Sequence, residues 1–489
     1  MFKKLAIAVS AALVSTSAMA IAPSATIPNF EIFMSGATAQ DIGIANVITD
    51  LCVPGTLDTF TQSSNHSAYY CNVNVALVTG DANGAFAGLP AWTAANPGVN
   101  PTVLFHKRSA GGSALGVSPI YENTPITHMN IWNTVRVPNA SNCTVTAPGS
   151  RSWTCTTTNL GDTLETRSDL GVSDVNPEMF VGANVPSGFN PIIGTTPGIT
   201  IKPAAALVFG IPVTLKLRNA LQQIQFGSLS PLVGLDTEAA MPTLSRAQVA
   251  SLMSGGIRSW SQVLDDNGLP LNTHPSVTDL PTSSLVNICR RVNGSGTQAQ
   301  MSAKFLNYPC TPGAKAPLQA PGNTFLGPVV TEGSGSGNVD TCLTTANTND
   351  RWAIGIQSTE KNVNLALAYR FIKIDGVAPT INNAADGKYM DWVEQSYQWR
   401  DDNFLSKLDM LNIVQTIVAN AAKPSIVRDS NLAFAHTWGQ GGYLALKSLG
   451  FASDNVFNIA NPVTPYTHTF GGGTDNCRSP VVVSGNMSL

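Results

Sequence analysis

The stretch AAALVFGIPVTLKL, Ala204 to Leu217, limits this chain more than any other. It is almost continuously apolar and lacks the in-out alternation of a half-exposed strand, so it predicts a strand covered on both faces. It is too short to cross a bilayer, and no later stretch is long and apolar enough to do so. A sheet covered on both faces needs helices against it, and the flanking sequence supplies them. Leu244 to Met253 carries Ser245 as an N-cap and apolar residues at helical spacing, and it stops at Gly255-Gly256. Phe404 to Ala421 reads as an amphipathic helix with Leu405, Leu408, Leu411, Ile413 and Ile417 on its apolar face. Phe30 to Ser35, Val103 to His106 and Val286 to Cys289 read as short strands. The first leads into a helical pattern through Ile42, Ile44, Val47, Ile48 and Leu51. Strands alternating with helices predict an α/β fold.

The first twenty residues have a basic start at Lys3 and Lys4, an apolar run from Leu5 to Val14 and the small-residue end Ala18-Met19-Ala20. This is the pattern of a secretory signal, with an exported chain starting near Ile21 and no Cys there for a lipid anchor. Without the signal, 25 basic residues face 30 acidic ones. A mildly acidic chain of this kind has no basic face for nucleic acid. All eight cysteines, Cys52, Cys71, Cys143, Cys155, Cys289, Cys310, Cys342 and Cys477, lie after the signal, and an even count in an exported chain favours disulfides. Sequence neighbours give Cys52–Cys71, Cys143–Cys155 and Cys289–Cys310, leaving Cys342 with Cys477, although order alone does not fix connectivity. A zinc site is the competing reading, but there is no CxxC and the six histidines are scattered. No metal and no cofactor is expected.

Three Gly/Ser-rich turns follow expected strands: Gly36-Ala37-Thr38, Ser109-Ala110-Gly111-Gly112, and Arg291 through Gly294-Ser295-Gly296-Thr297. Each alone is an ordinary helix cap. Together they hold the parts of an oxyanion site: free N–H groups at a helix start, hydroxyl donors, glycines that allow close approach, and a two-pronged arginine. A fourth segment, SDLGVSD, Ser168 to Asp174, reads as a strand ending in an acid. A carboxylate belongs in an anion site only if the anion carries a proton to donate, as phosphate does at neutral pH and sulfate does not. The competing reading makes Asp174 a helix cap.

In this order, SGATA, SAGGS, SDLGVSD, PVTLKL, LSRAQVASLMSGGIRSWSQV and RRVNGSGT resemble the periplasmic phosphate-binding proteins of ABC transporters. RWAIGIQSTEKN and IKIDGVAPTINNAADGKYMDW continue the likeness, which runs from about residue 30 to 450. The resemblance implies a type II periplasmic-binding fold with a two-strand hinge. Lobe I would comprise 21–212 plus 389–489, with Cys-bearing insertions at about 50–100 and 120–165 decorating it, and lobe II 213–388. It implies that Thr38, the Ala39 amide and Ser109 donate to phosphate from lobe I and that Asp174 accepts the phosphate proton. Arg291, Ser295, Gly296 and Thr297 would donate from lobe II, with Arg290 structural or at the rim. The departures are Asn293, where the family usually has an Asp beside the arginine, and Ala39, where an aromatic residue is common. Losing that Asp would deprive Arg291 of a partner and either relax selectivity or change how the arginine is held, and Ala39 would thin the packing behind the first loop.

The implied function is capture of inorganic phosphate in the periplasm and delivery to permease subunits of an ABC transporter. The alternative is a secreted or surface protein of the same fold with a relaxed or lost anion site. An enzyme is not expected: Ser113 in AGGSALG lacks the G-x-S-x-G spacing, and no histidine can be assigned to it as a base.

Overall fold

The structure is a computed structural model that describes residues 27–483 except 64, 81–87, 132–141, 160, 195 and 470–472; the expected signal at 1–20 lies outside the described residues. Its organising element is the strand Ile199–Thr214, half-exposed at its start and buried without a break from Ala204 to Thr214. Burial of successive side chains means that both faces of the strand are covered, and the strand runs through two sheets. Its first part pairs antiparallel with Trp392–Arg400 and, on the other side at Ala206 and Leu207, with Tyr443–Leu446. Its last part, Ile211 to Thr214, pairs with Tyr369–Ile374, and Val213 pairs with Ile354 of Ala353–Gly355.

From the strand Trp392–Arg400 the first sheet continues through Leu170–Ser173, Phe30–Gly36, Thr102–Arg108, His66–Asn72, Asp58–Gln62, Ser152–Cys155 and Cys143–Val145. Its parallel core is Leu170–Ser173, Phe30–Gly36 and Thr102–Arg108. Three parallel strands end on one edge, so the loops after Gly36, Arg108 and Ser173 gather there. The second sheet has Asn287–Arg291 parallel to both Val329–Gly333 and Ala353–Gly355, with Thr243–Leu244 on the far side of Tyr369–Ile374. The architecture is mixed α/β. The helix at Arg246–Met253 starts where the sequence places it, and Ser245 and Gln248 form a reciprocal capping box. Such a cap is worth about 1 kcal/mol.

Several expectations are corrected. Leu215 and Leu217 belong to a helix, Leu215–Phe226, which buries Leu217, Ala220 and Leu221. The spacing of those three is helical, but the apolar run before them masks the change of period. The later helix begins only at Leu408 (Leu408–Ala421), and Leu405 and Leu408 are 81% and 54% exposed. Ile413 and Ile417 are buried as expected, and Val414 and Val418 complete the buried face. The first Cys-bearing insertion is no decoration, since Asp58–Gln62 and His66–Asn72 are strands of the main sheet and bury Phe60, Tyr69 and Tyr70.

The cysteines pair as Cys52–Cys71 and Cys143–Cys155, as expected, but then as Cys289–Cys342 and Cys310–Cys477. The reason is the intervening helix Gly296–Leu306, whose 11 residues carry the chain about 16 Å away from the strand holding Cys289. Cys342 lies on the helix Ser336–Thr348 packed against that strand, which brings its Cα within 5.8 Å of the Cα of Cys289.

Candidate functional site

Gly36 ends its strand with φ +122°, and an added Cβ would lie 1.8 Å from the Val172 carbonyl. Only glycine lets the first loop lie so close to the neighbouring strand. Ala37 N–H donates to that carbonyl at 2.9 Å, and Thr38–Gln40 then form one turn of 3-10 helix. Thr38 Oγ1 donates to the Ser109 carbonyl at 3.3 Å, which joins the first loop to the second. Ala39 is buried, and the Tyr443 hydroxyl contacts both its carbonyl and Glu360 Oε2. Tyr443 comes from the strand Tyr443–Leu446.

In the second loop Ser109 is buried, but its hydroxyl is engaged. Oγ donates to Asp41, 2.7 and 2.8 Å from the two carboxylate oxygens, and it accepts from Lys107 Nζ at 2.9 Å. Ser113, at the end of the same loop, accepts at Oγ from the Asp174 N–H at 3.1 Å.

Asp174 follows the strand Leu170–Ser173 and is 2% exposed. Burial pushes its carboxyl up to about 6; Arg291 opposes the rise, Glu360 adds to it, and hydrogen bonds from Gln40 and Ser113 hold it down. Its Oδ1 is buried without a hydrogen-bond partner.

The fourth segment meets these three. Arg291 ends the strand Asn287–Arg291 and is buried, with Nε donating to the Gly333 carbonyl at 3.2 Å and Nη2 to the Ser334 carbonyl at 2.8 Å. Burial draws its guanidinium down to about 10 against the pull of Asp174, so it stays a cation at neutral pH. Two of its five N–H donors are used in those bonds. Ser295 caps the helix Gly296–Leu306, Oγ accepting from Gln298 N–H at 3.4 Å. The first N–H groups of a helix have no acceptor within it, so Gly296 and Thr297 present donors here. A Cβ on Gly296 would lie 2.3 Å from Ser113 Oγ and 2.7 Å from Asp174 Cβ, so the helix start rests directly on the acid. Ala114 N–H donates to the Gly294 carbonyl at 2.8 Å, which closes the second loop onto the fourth.

Thr38, Ala39, Ser109, Asp174, Arg291, Ser295, Gly296 and Thr297 therefore lie in one linked cluster. One detail differs from expectation. Asn293 does not stand beside Arg291; its Oδ1 accepts from Arg290 Nη2 at 2.8 Å. Arg290 is a buried structural residue, bonded also to the Arg291 and Leu318 carbonyls. The sequence reading missed Asp41, Lys107, Gln40 and Glu360. A lysine inside the apolar strand VLFHKR just before the second loop was the available signal for one of them. Among the described residues, no group of three or more His, Cys, Asp or Glu is arranged to hold a metal ion, and no helix is long and apolar enough to cross a membrane.

No protein-family model matches the chain, and no curated protein matches it. Similar solved structures include a putative phosphate ABC transporter substrate-binding protein with bound phosphate from Clostridium perfringens, 13% identical over 82% of this chain and 97% of that one, with a TM-score of 0.38. An ABC-type phosphate transport receptor from Vibrio cholerae is 12% identical over 79% and 93%, with a TM-score of 0.34. The regulatory domain of MetR, a LysR family regulator from N. meningitidis, is 9% identical over 80% and 93%, with a TM-score of 0.28. Likenesses this distant do not decide a ligand, and the chemistry of the cluster has to.

Proposed function

We propose that this chain is an exported solute-binding protein that captures inorganic phosphate between two lobes and hands it to an ABC transporter in the periplasm. The carrying observation is Asp174 Oδ1, a buried acceptor with no partner beside a buried cation and a helix start. Leaving such an acceptor unpaired costs about 1–3 kcal/mol, and a protonated anion removes that cost by donating to it. With its carboxyl near 6, Asp174 is mostly ionised at neutral pH and ready to accept. Sulfate brings no proton and would set two acceptors against each other.

In this reading the Thr38 hydroxyl turns its proton from the Ser109 carbonyl to the anion and donates with the Ala39 amide from lobe I, which comprises 21–212 and 389–489, with Ser109 holding the second loop in register. Arg291, Ser295, the Gly296 amide and Thr297 donate from lobe II, 213–388. Binding favours the closed state because only closure satisfies both halves. Calorimetry on phosphate-stripped protein tests the reading: phosphate gives heat and a thermal shift, and neither signal appearing would refute it.

A second reading, a secreted or surface protein of the same fold with no transport role, is favoured by the disulfide Cys310–Cys477. Cys310 follows the helix that rests on Asp174, whereas Asn476, next to Cys477, bonds to Glu394 and Asn176 of the first-sheet side. The link therefore joins the parts whose separation would release the anion.

A further inference from the structure

The lobe I half of the site contains an ion pair that phosphate capture as proposed leaves unused. Lys107 is fully buried at the end of the strand Thr102–Arg108. Its Nζ lies 3.0 Å from Asp41 Oδ1 and donates to the Gly36 and Ala37 carbonyls, 3.1 Å each, as well as to Ser109 Oγ. A peptide unit is planar and trans, so tying the Ala37 carbonyl to Lys107 turns the Thr38 N–H the opposite way. Lys107 thus positions both first-lobe loops without being required to touch an anion.

Asp41 has a different consequence. A hydroxyl has one proton and two acceptor lone pairs. The Ser109 proton is taken by Asp41 and one lone pair by Lys107, so Ser109 has only acceptor capacity left. An anion requires donors. Asp41 also neutralises the ammonium that would otherwise give the first loop a net positive charge.

We propose that Asp41 is a specificity-determining residue of the anion site: by holding the Ser109 proton and pairing with Lys107, it removes a donor and a net positive charge from the first half-site and so disfavours anions that bring no proton. This rests on the phosphate reading. Without the Ser109 proton, a fully ionised anion loses one of the few groups that could stabilise it. A protonated anion is still fixed through Asp174.

The test is titration with phosphate and with sulfate of wild type, Asp41→Asn, Asp41→Ala, Ser109→Ala and Asp41→Asn/Ser109→Ala, with thermal melts to show which Asp41 variant is folded. Freeing the hydroxyl and the ammonium should tighten sulfate more than phosphate and narrow the ratio of affinities by about three- to tenfold, the worth of one net hydrogen bond. Ser109→Ala should cost more in the Asp41→Asn background than in the wild-type one, because only there does the hydroxyl reach the anion. An unchanged ratio in the Asp41 variants, or equal costs of Ser109→Ala in both backgrounds, overturns the inference while leaving phosphate binding intact. A wild type that binds neither anion refutes the phosphate reading and this inference with it.

Discussion

Asp174→Asn should stabilise the ligand-free protein while weakening its hold on phosphate. The Asp174 carboxyl moves from an ordinary 3.8 to about 6 on folding. Folding therefore favours its protonated form: the contribution is fully present below 3.8 and is lost as pH rises through 6. At about 1.4 kcal/mol per tenfold, the ionised carboxylate costs the folded state about 3 kcal/mol at pH 7.5 and about 1 kcal/mol at pH 4.5. Asparagine is neutral and nearly isosteric, so the variant escapes that cost. Arg291 loses its counter-ion in the variant, but its attraction already counts among the influences that set the value near 6. The assay is urea unfolding of exhaustively dialysed protein at the two pH values. The variant should be more stable by about 3 kcal/mol at pH 7.5, with the excess shrinking to about 1 kcal/mol at pH 4.5. Phosphate at a hundred times the wild-type Kd should shrink the excess at pH 7.5, since wild type gains about 2.7 kcal/mol and the more weakly binding variant gains less. A variant that is less stable without ligand, or an excess that does not shrink in acid, would refute the reasoning.

Three further perturbations test other parts of the account. Gly296→Ala places a methyl group 2.3 Å from Ser113 Oγ, and overpacking of about 1–3 kcal/mol exceeds the helix gain of about 1 kcal/mol. Its urea midpoint and phosphate affinity should both fall, and wild-type affinity would remove Gly296 from the site. Asn293→Asp should leave the phosphate-to-sulfate ratio unchanged, because its partner is Arg290; a shifted ratio would restore a direct role beside Arg291. Removing Cys310–Cys477, which spans 167 residues, by paired Ser substitutions should cost about 2–5 kcal/mol in urea unfolding and speed phosphate release in stopped flow. An unchanged release rate would mean the link does not limit opening.

The strand-loop-helix units were legible because each is a local event. An apolar run, a glycine at a close approach and a cap such as Ser295 or Ser245 all lie within a dozen residues. The SD ending also marked an acid at the end of a strand, although it read equally as a helix cap. What it hid was set by distance along the chain. Lys107 reads as one polar position in a strand, and Asp41 as an acid in the first turn of a helix, where a carboxylate is ordinarily favourable. Only the parallel pairing of Phe30–Gly36 with Thr102–Arg108 brings the two together under Ser109. Tyr443 reaches the Ala39 carbonyl from 404 residues away, which no local pattern encodes. The cysteine pairs failed for the same reason, because nearness in sequence was undone by a helix placed between Cys289 and Cys310.

The central claim is that Asp174 reads a proton on the ligand, and the most direct measurement is the phosphate-to-sulfate affinity ratio of wild type and Asp174→Asn at pH 7.5. Wild type should bind phosphate and reject sulfate. The amide can donate where the carboxylate could only accept, so in the variant phosphate should weaken by about tenfold or more, sulfate should gain, and the ratio should collapse. A ratio that is the same in both proteins would contradict the account.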